Sequence, residues 1–286
     1  MKKQYYIPST LLSDGLSNAK TSKNHIRTKI LYLSASTQNY KGKDLCPYAT
    51  DACRLLCLVK TGHAEHKKNV QNARINRANF WVQDRLLFAS KLLRELSNAN
   101  KLAKKNKSKI AIRLNGTSDI DFIAHFKRSF GVDVLSEFPN LIFYDYTKSL
   151  QRVKKYLGSR YRLTLSYSGE NFQDIIEALL LGANVSVVFT PSVMEKINSG
   201  VIKNWYSFDV VSGDENDLET ILQDGKILAL KFKGSKTKAI YQAQVNNGIK
   251  SGFVISENDY GFNFKDDFKE KYPLDDWLRM SKLIKS

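Results

Sequence analysis

The stretch YRLTLSYSGENFQDIIEALLLGANVSVVFTP, residues 161–191, decides the fold class. Tyr161 to Ser166 is a short run of apolar, aromatic and β-branched residues, the composition of a strand. A polar loop follows, Ser166-Tyr167-Ser168-Gly169-Glu170-Asn171. Phe172 to Leu181 then reads as a helix, and Asn184 to Phe189 returns to a strand. Pro191 opens the next helix at its first turn, where a missing N–H costs little. Strand, polar loop, helix, strand is the repeating unit of a parallel β/α sheet.

The same alternation extends in both directions. Lys29 to Ser36 (KILYLSAS) reads as the first strand. A helical stretch from roughly Lys67 to Lys105 carries Trp81, Phe88, Leu92 and Leu96 as an apolar stripe at helical spacing. Lys109 to Leu114 is a strand, a helix containing Phe122 and Phe126 follows, and Leu141 to Asp145 is the next strand. A helix over Ser149 to Leu157 leads into the opening stretch, and strands at Tyr206 to Val211 and Lys226 to Phe232 lie beyond it. About seven such strands predict an α/β fold, a partial or closed β/α (TIM-like) barrel over residues 1–238. From Ala239 the pattern turns to mixed polar and aromatic residues, ending in a helical segment with Trp277 and Leu278. Residues 239–286 are therefore expected to form a small C-terminal appendage or to close the barrel.

Polar residues gather at the predicted strand ends. They include Asn115-Gly116-Thr117-Ser118-Asp119, Asp145-Tyr146-Thr147-Lys148, the 166–171 loop and Ser212-Gly213-Asp214-Glu215-Asn216-Asp217. In a β/α barrel the C-terminal strand ends share one rim, where active sites are built. Asp145, Lys148, Asp214 and Glu215 are the expected catalytic candidates, with Asp119 and Glu170 as further rim groups for handling substrate or protons. Any one of these loops also serves as a turn or a helix cap. Arg113, a cation inside a short strand, is expected to face a rim or core carboxylate, as a structural salt bridge or as a contact for a substrate anion. His125, beside Phe122 and Phe126, reads as packing, and His25 as ordinary.

The three cysteines, Cys46, Cys53 and Cys57, all fall within the run C-x6-C-x3-C. An odd number speaks against a disulfide framework. The first precedes Pro47, which keeps the backbone out of helix, and the other two lie four apart, as on one face of a helical turn. Three thiolates can ligate a [4Fe-4S] cluster and leave one iron open. The competing reading is zinc, with His63 or His66 completing a Cys3His tetrahedron. Thiolate-only ligation with an open position favours the cluster.

Forty-two per cent hydrophobic residues are enough for a buried core, and no apolar run reaches spanning length. A soluble, cytoplasmic protein with no membrane partner is expected. The net charge of +17 attracts polyanions, so nucleic acid is a possible partner. Runs such as Lys101 to Lys109 (KLAKKNKSK) also read as solvated helix ends.

The run Leu33-Ser34, Cys46-Pro47-Tyr48-Ala49, Cys53, Cys57-Leu58, Gly62, Val70, Ala73-Arg74 and Arg77 resembles the N-terminal signature of the phage gene product 88-like family. Tyr144 to Lys148, Leu165 to Ser168, Ser212 to Asp217 and Leu230 to Gly234 extend that resemblance over roughly residues 30–235. It implies a bacteriophage-encoded protein, which would place it in the host cytoplasm. A weaker, fold-level resemblance is to radical S-adenosylmethionine enzymes, whose usual C-x3-C-x2-C spacing differs from the one here. That resemblance implies an enzyme binding S-adenosylmethionine at the open iron. Asn115, Gly116, Ser168 and Glu170 would then contact the cofactor's polar groups, and a small-molecule substrate would complete the site.

Overall fold

The structure is a computed structural model that describes residues 3–15, 26–57, 68–218 and 222–263. It is a mixed α/β fold in which the chain forms two compact units, the segments around Cys53 and Leu150 belonging to the second.

The first unit carries β1 (Leu12–Asp14), β2 (Thr28–Leu31), β3 (Ile110–Arg113) and β4 (Leu141–Thr147), the last two residues of β4 being counted with the second unit. Strands β2, β3 and β4 run parallel in that order, and β1 adds to β2 antiparallel. Ile110, Ala111 and Ile112 are successive buried residues rather than alternating ones, as expected of a parallel strand covered on both faces. Helices α2 (Lys68–Gln83), α3 (Arg85–Lys105), α4 (Phe122–Phe130) and the short α5 (Val134–Glu137) belong here. The single long helix expected over 67–105 is two helices. Asp84 breaks it, its side chain accepting the Leu87 N–H at 3.2 Å to cap α3. Trp81 thus lies in the last turn of α2, while Phe88, Leu92 and Leu96 belong to the buried face of α3. Tyr5 stacks on Phe80 at 4.4 Å, and Trp81 packs on Phe88 and Phe122.

The second unit contains most of β5 (Tyr161–Ser166), whose first two residues fall in the first unit, together with β6 (Val185–Phe189), β7 (Asn204–Trp205), β8 (Phe208–Ser212) and β9 (Ile227–Lys231). The order β5-β6-β9-β8 is parallel throughout, and β7 pairs antiparallel with β8. Helices α1 (Asp51–Leu55), α6 (Leu150–Tyr156), α7 (Phe172–Leu180), α8 (Pro191–Asn198) and α9 (Lys238–Lys250) belong to this unit. Pro191 stands in the first turn of α8, as its fixed φ predicts. Beyond α9, β10 (Val254–Ile255) pairs parallel with Val188 and Phe189 at the end of β6. Within 239–286 the strand β10 is thereby part of this unit's sheet, and the helical segment at Trp277 lies outside the described residues.

In neither unit do the strands return to pair first with last. Among the described residues the sheet is open, and the closed form of the expected barrel is not found. The short strands β1, β7 and β10 carry too few residues to show a period, which is why the alternation alone did not announce them.

Gly169 illustrates how tightly the second unit packs. Its φ is +86°, and a Cβ there would stand 2.3 Å from the Ser251 carbonyl oxygen. Only glycine meets both demands.

Candidate functional site

In the first unit the polar ends of β2 and β3 are tied together by backbone. The Gly116 N–H donates to the Leu31 carbonyl at 3.0 Å, and the Asp119 N–H to that of Leu45 at 2.9 Å. This second bond holds the loop that carries Cys46. The Cys46 Sγ accepts the Ser36 N–H at 3.4 Å and, as a thiol, donates to the Thr117 carbonyl at 3.9 Å. An N–H aimed at sulfur stabilises negative charge on it, the form in which cysteine binds metal.

Asn115 and Gly116, expected to contact a cofactor, hold this loop in shape. Asn115 Oδ1 accepts from Ser118 and from the Ile120 N–H, and its Nδ2 donates to the Ile120 carbonyl and to Asp145. Gly116 lies against Tyr32, and a Cβ there would be 2.6 Å from the Tyr32 ring. The other face of the arrangement is cationic. The Arg74 guanidinium stands 5.0 Å from the Tyr32 ring centroid, in cation–π range. Burial holds the Arg74 pKa below the ordinary arginine value, while Tyr32 and Cys57 pull it back up. Arg77, one turn on, is lowered by burial too, with Tyr6 and Glu95 opposing and Arg74 adding to the effect.

Asp145 is wholly buried at 0% exposure. Its oxygens accept the backbone N–H groups of Leu114 and Asn115 at 3.1 and 2.9 Å, the Asn115 amide at 3.2 Å and the Tyr161 hydroxyl at 2.8 Å. Arg113 Nε lies 3.8 Å away, the carboxylate partner its position in the strand demanded. So placed, Asp145 ties the ends of β3 and β4 together. His125 packs edge-on against Trp81 at 4.9 Å, as expected of a core residue.

In the second unit Thr50 caps α1, accepting the Cys53 N–H at 3.2 Å and donating to the Ser168 carbonyl at 3.3 Å. Leu56 packs with Phe232, Val245 and Val254 and anchors the helix end. Cys57 lies two residues beyond the last residue of α1, so the helical turn expected to present both Cys53 and Cys57 presents only Cys53. Helix α1 is simply too short to reach it. Ser168, also expected to contact a cofactor, gives its N–H and hydroxyl to Asn171 Oδ1 at 2.8 and 2.9 Å, whereas Glu170 is exposed. Lys148 rests over the Phe253 ring at 5.7 Å.

The second unit also holds a recess of 260 Å³ between α8 and the ends of β8 and β9. Asp214, Glu215, Lys231 and Lys233 line it with Pro191 and Met194. Asp214 accepts the Lys231 N–H at 2.5 Å and pairs with the Lys233 ammonium at 3.2 Å, while Glu215 is exposed. The two expected catalytic carboxylates at 214 and 215 are thus brought together, beside two lysines. Side chains of both charges therefore line this recess.

All three cysteines are thiols of intermediate exposure. Among the described residues no group of three His, Cys, Asp or Glu side chains is gathered as a metal site. The alternative zinc ligands His63 and His66 lie outside the described residues, as does His25. Among the described residues no helix is long and apolar enough to cross a membrane.

The family model described as gene product 88 matches residues 10–256. The chain belongs to the gene product 88 family. The cysteine block and the loops at 144–148 and 212–217, on which that resemblance was read, all lie inside the match. No curated protein and no solved structure matches the chain, so the likeness to radical S-adenosylmethionine enzymes finds no support there. Sequence reading of this family member missed Arg74 and Arg77 as a pair. Their spacing of three on a helix was the available signal.

Proposed function

We propose that this gene product 88 family member is a phage-encoded, cytoplasmic iron–sulfur protein in which Cys46, Cys53 and Cys57 ligate a [4Fe-4S] cluster with one iron open. The observation that carries the reading is the backbone N–H that Ser36 directs at the Cys46 sulfur. Such hydrogen bonds stabilise thiolates and tune cluster potentials. A reducing compartment keeps such thiols available. Sites of this kind assemble with their metal rather than before it.

When bound, an open-site cluster supplies one-electron chemistry or a Lewis-acidic iron for a substrate; S-adenosylmethionine is one ligand that would suit it. The protein's own groups would hold the thiolates, with the 115–119 loop covering Cys46 through the Thr117 carbonyl. Anaerobically purified protein is expected to be brown, with the broad violet-to-blue absorbance of a thiolate-ligated cluster. A colourless protein that stays colourless after reconstitution with iron and sulfide would contradict the reading.

The net charge of +17 favours a second reading, a nucleic-acid binder with a structural Cys3His zinc site. That protein would carry zinc, bind heparin, and lose nucleic-acid affinity steeply as salt rises. Iron in place of zinc, or elution from heparin at low salt, would dismiss it.

A further inference from the structure

We propose that Arg74 and Arg77 on α2 form a binding site for a small dianionic oxyanion, best matched by a phosphoryl group. The proposal concerns the first unit alone and stands whether or not a cluster is bound. Residues three apart on a helix are neighbours, so two like charges here repel unless something lies between them. Both side chains are half-buried, and the Nε of each is enclosed with no hydrogen-bond partner among the described residues. An unmet buried donor is costly, and more so when charged.

The carboxylate within reach of Arg77 is already in use. Glu95 accepts the N–H groups of Leu11 and Leu12 at 2.8 to 3.0 Å and lies 3.7 Å from the Lys91 ammonium. The carboxylate that acts on Arg77 is therefore already occupied, and Arg74 adds its like charge beside it. Tyr32, wedged against Gly116, supports the face of the Arg74 guanidinium. The fork is thereby held in one plane before any ligand arrives, which reduces the ordering cost of binding. Guanidinium forks match the oxygens of phosphoryl and carboxylate groups. Two neighbouring guanidinium charges favour a dianion over a monoanion, and near neutral pH that is the phosphoryl group.

Calorimetric titration with inorganic phosphate tests this on the full chain at low ionic strength. Saturable binding is expected, weakened about tenfold or more in Arg74→Gln and in Arg77→Gln and unchanged in Lys101→Gln, which removes an exposed charge. Acetate at equal ionic strength should bind more weakly. In metal-free protein, phosphate should also slow alkylation of Cys57, which interacts electrostatically with Arg74. Should either glutamine variant fail to fold, Arg74→Lys and Arg77→Lys keep the charge, lose the fork, and should still weaken binding. No saturable binding, equal affinity in the arginine variants, equal weakening in Lys101→Gln, equal binding of acetate, or an unaltered Cys57 alkylation rate would each overturn the proposal.

Discussion

Asp145→Ala is expected to destabilise the protein by about 3–5 kcal/mol, read as a lower denaturant midpoint at unchanged slope. The carboxylate is fully enclosed and receives four hydrogen bonds, two of them from backbone at the end of β3. Removing it leaves two backbone N–H groups, the Asn115 amide and the Tyr161 hydroxyl short of an acceptor. It also leaves the Arg113 guanidinium without the carboxylate 3.8 Å away. Breaking one side of a buried charged network costs far more than the network contributes net, because the remaining partners stay buried and unmet. Asp145→Asn should recover part of the loss, since its oxygen can still accept from one partner while its amide faces donors. A midpoint unchanged in Asp145→Ala would show that this network does not organise the strand ends.

Cys53→Ser is expected to lower bound iron from about four per chain to below about one while leaving the fold intact. A serine hydroxyl is a harder and far less acidic ligand than a thiol, so the cluster loses one of its three anchors. The helix that carries residue 53 does not depend on the sulfur. Its N-terminus is capped by Thr50 through the Cys53 backbone N–H, and its end is held by Leu56 in the core. Circular dichroism should therefore match the unmodified protein. Full iron content in Cys53→Ser would remove this residue from the ligand set, and global unfolding would indicate a structural metal instead.

The parallel β/α order was legible because fully buried strands and polar loops leave a composition signal, as residues 161–191 show. Boundaries set by single side chains were not. The break between α2 and α3 rests on one capping carboxylate at Asp84 inside an otherwise continuous helical pattern. The tight seat of Gly116 against Tyr32 depends on residues far apart in sequence. Arg113 could be expected to find a carboxylate, because a strand-borne charge must be paired. That Asp145 would be that carboxylate needed the register of β3 on β4. The same logic separates the strand-end polar residues by role. Asn115, Ser168 and Asp145 spend their hydrogen bonds on neighbouring backbone and side chains, whereas Glu170 and Glu215 stay exposed to solvent. Sequence marks all of them as polar loop residues and cannot say which are committed.

Iron and acid-labile sulfide, measured together on anaerobically purified and reconstituted protein, test the central claim most directly. The account predicts about four of each per chain, with an electron paramagnetic resonance signal on reduction. Protein holding one zinc and no sulfide, or no metal at all after reconstitution, would contradict it.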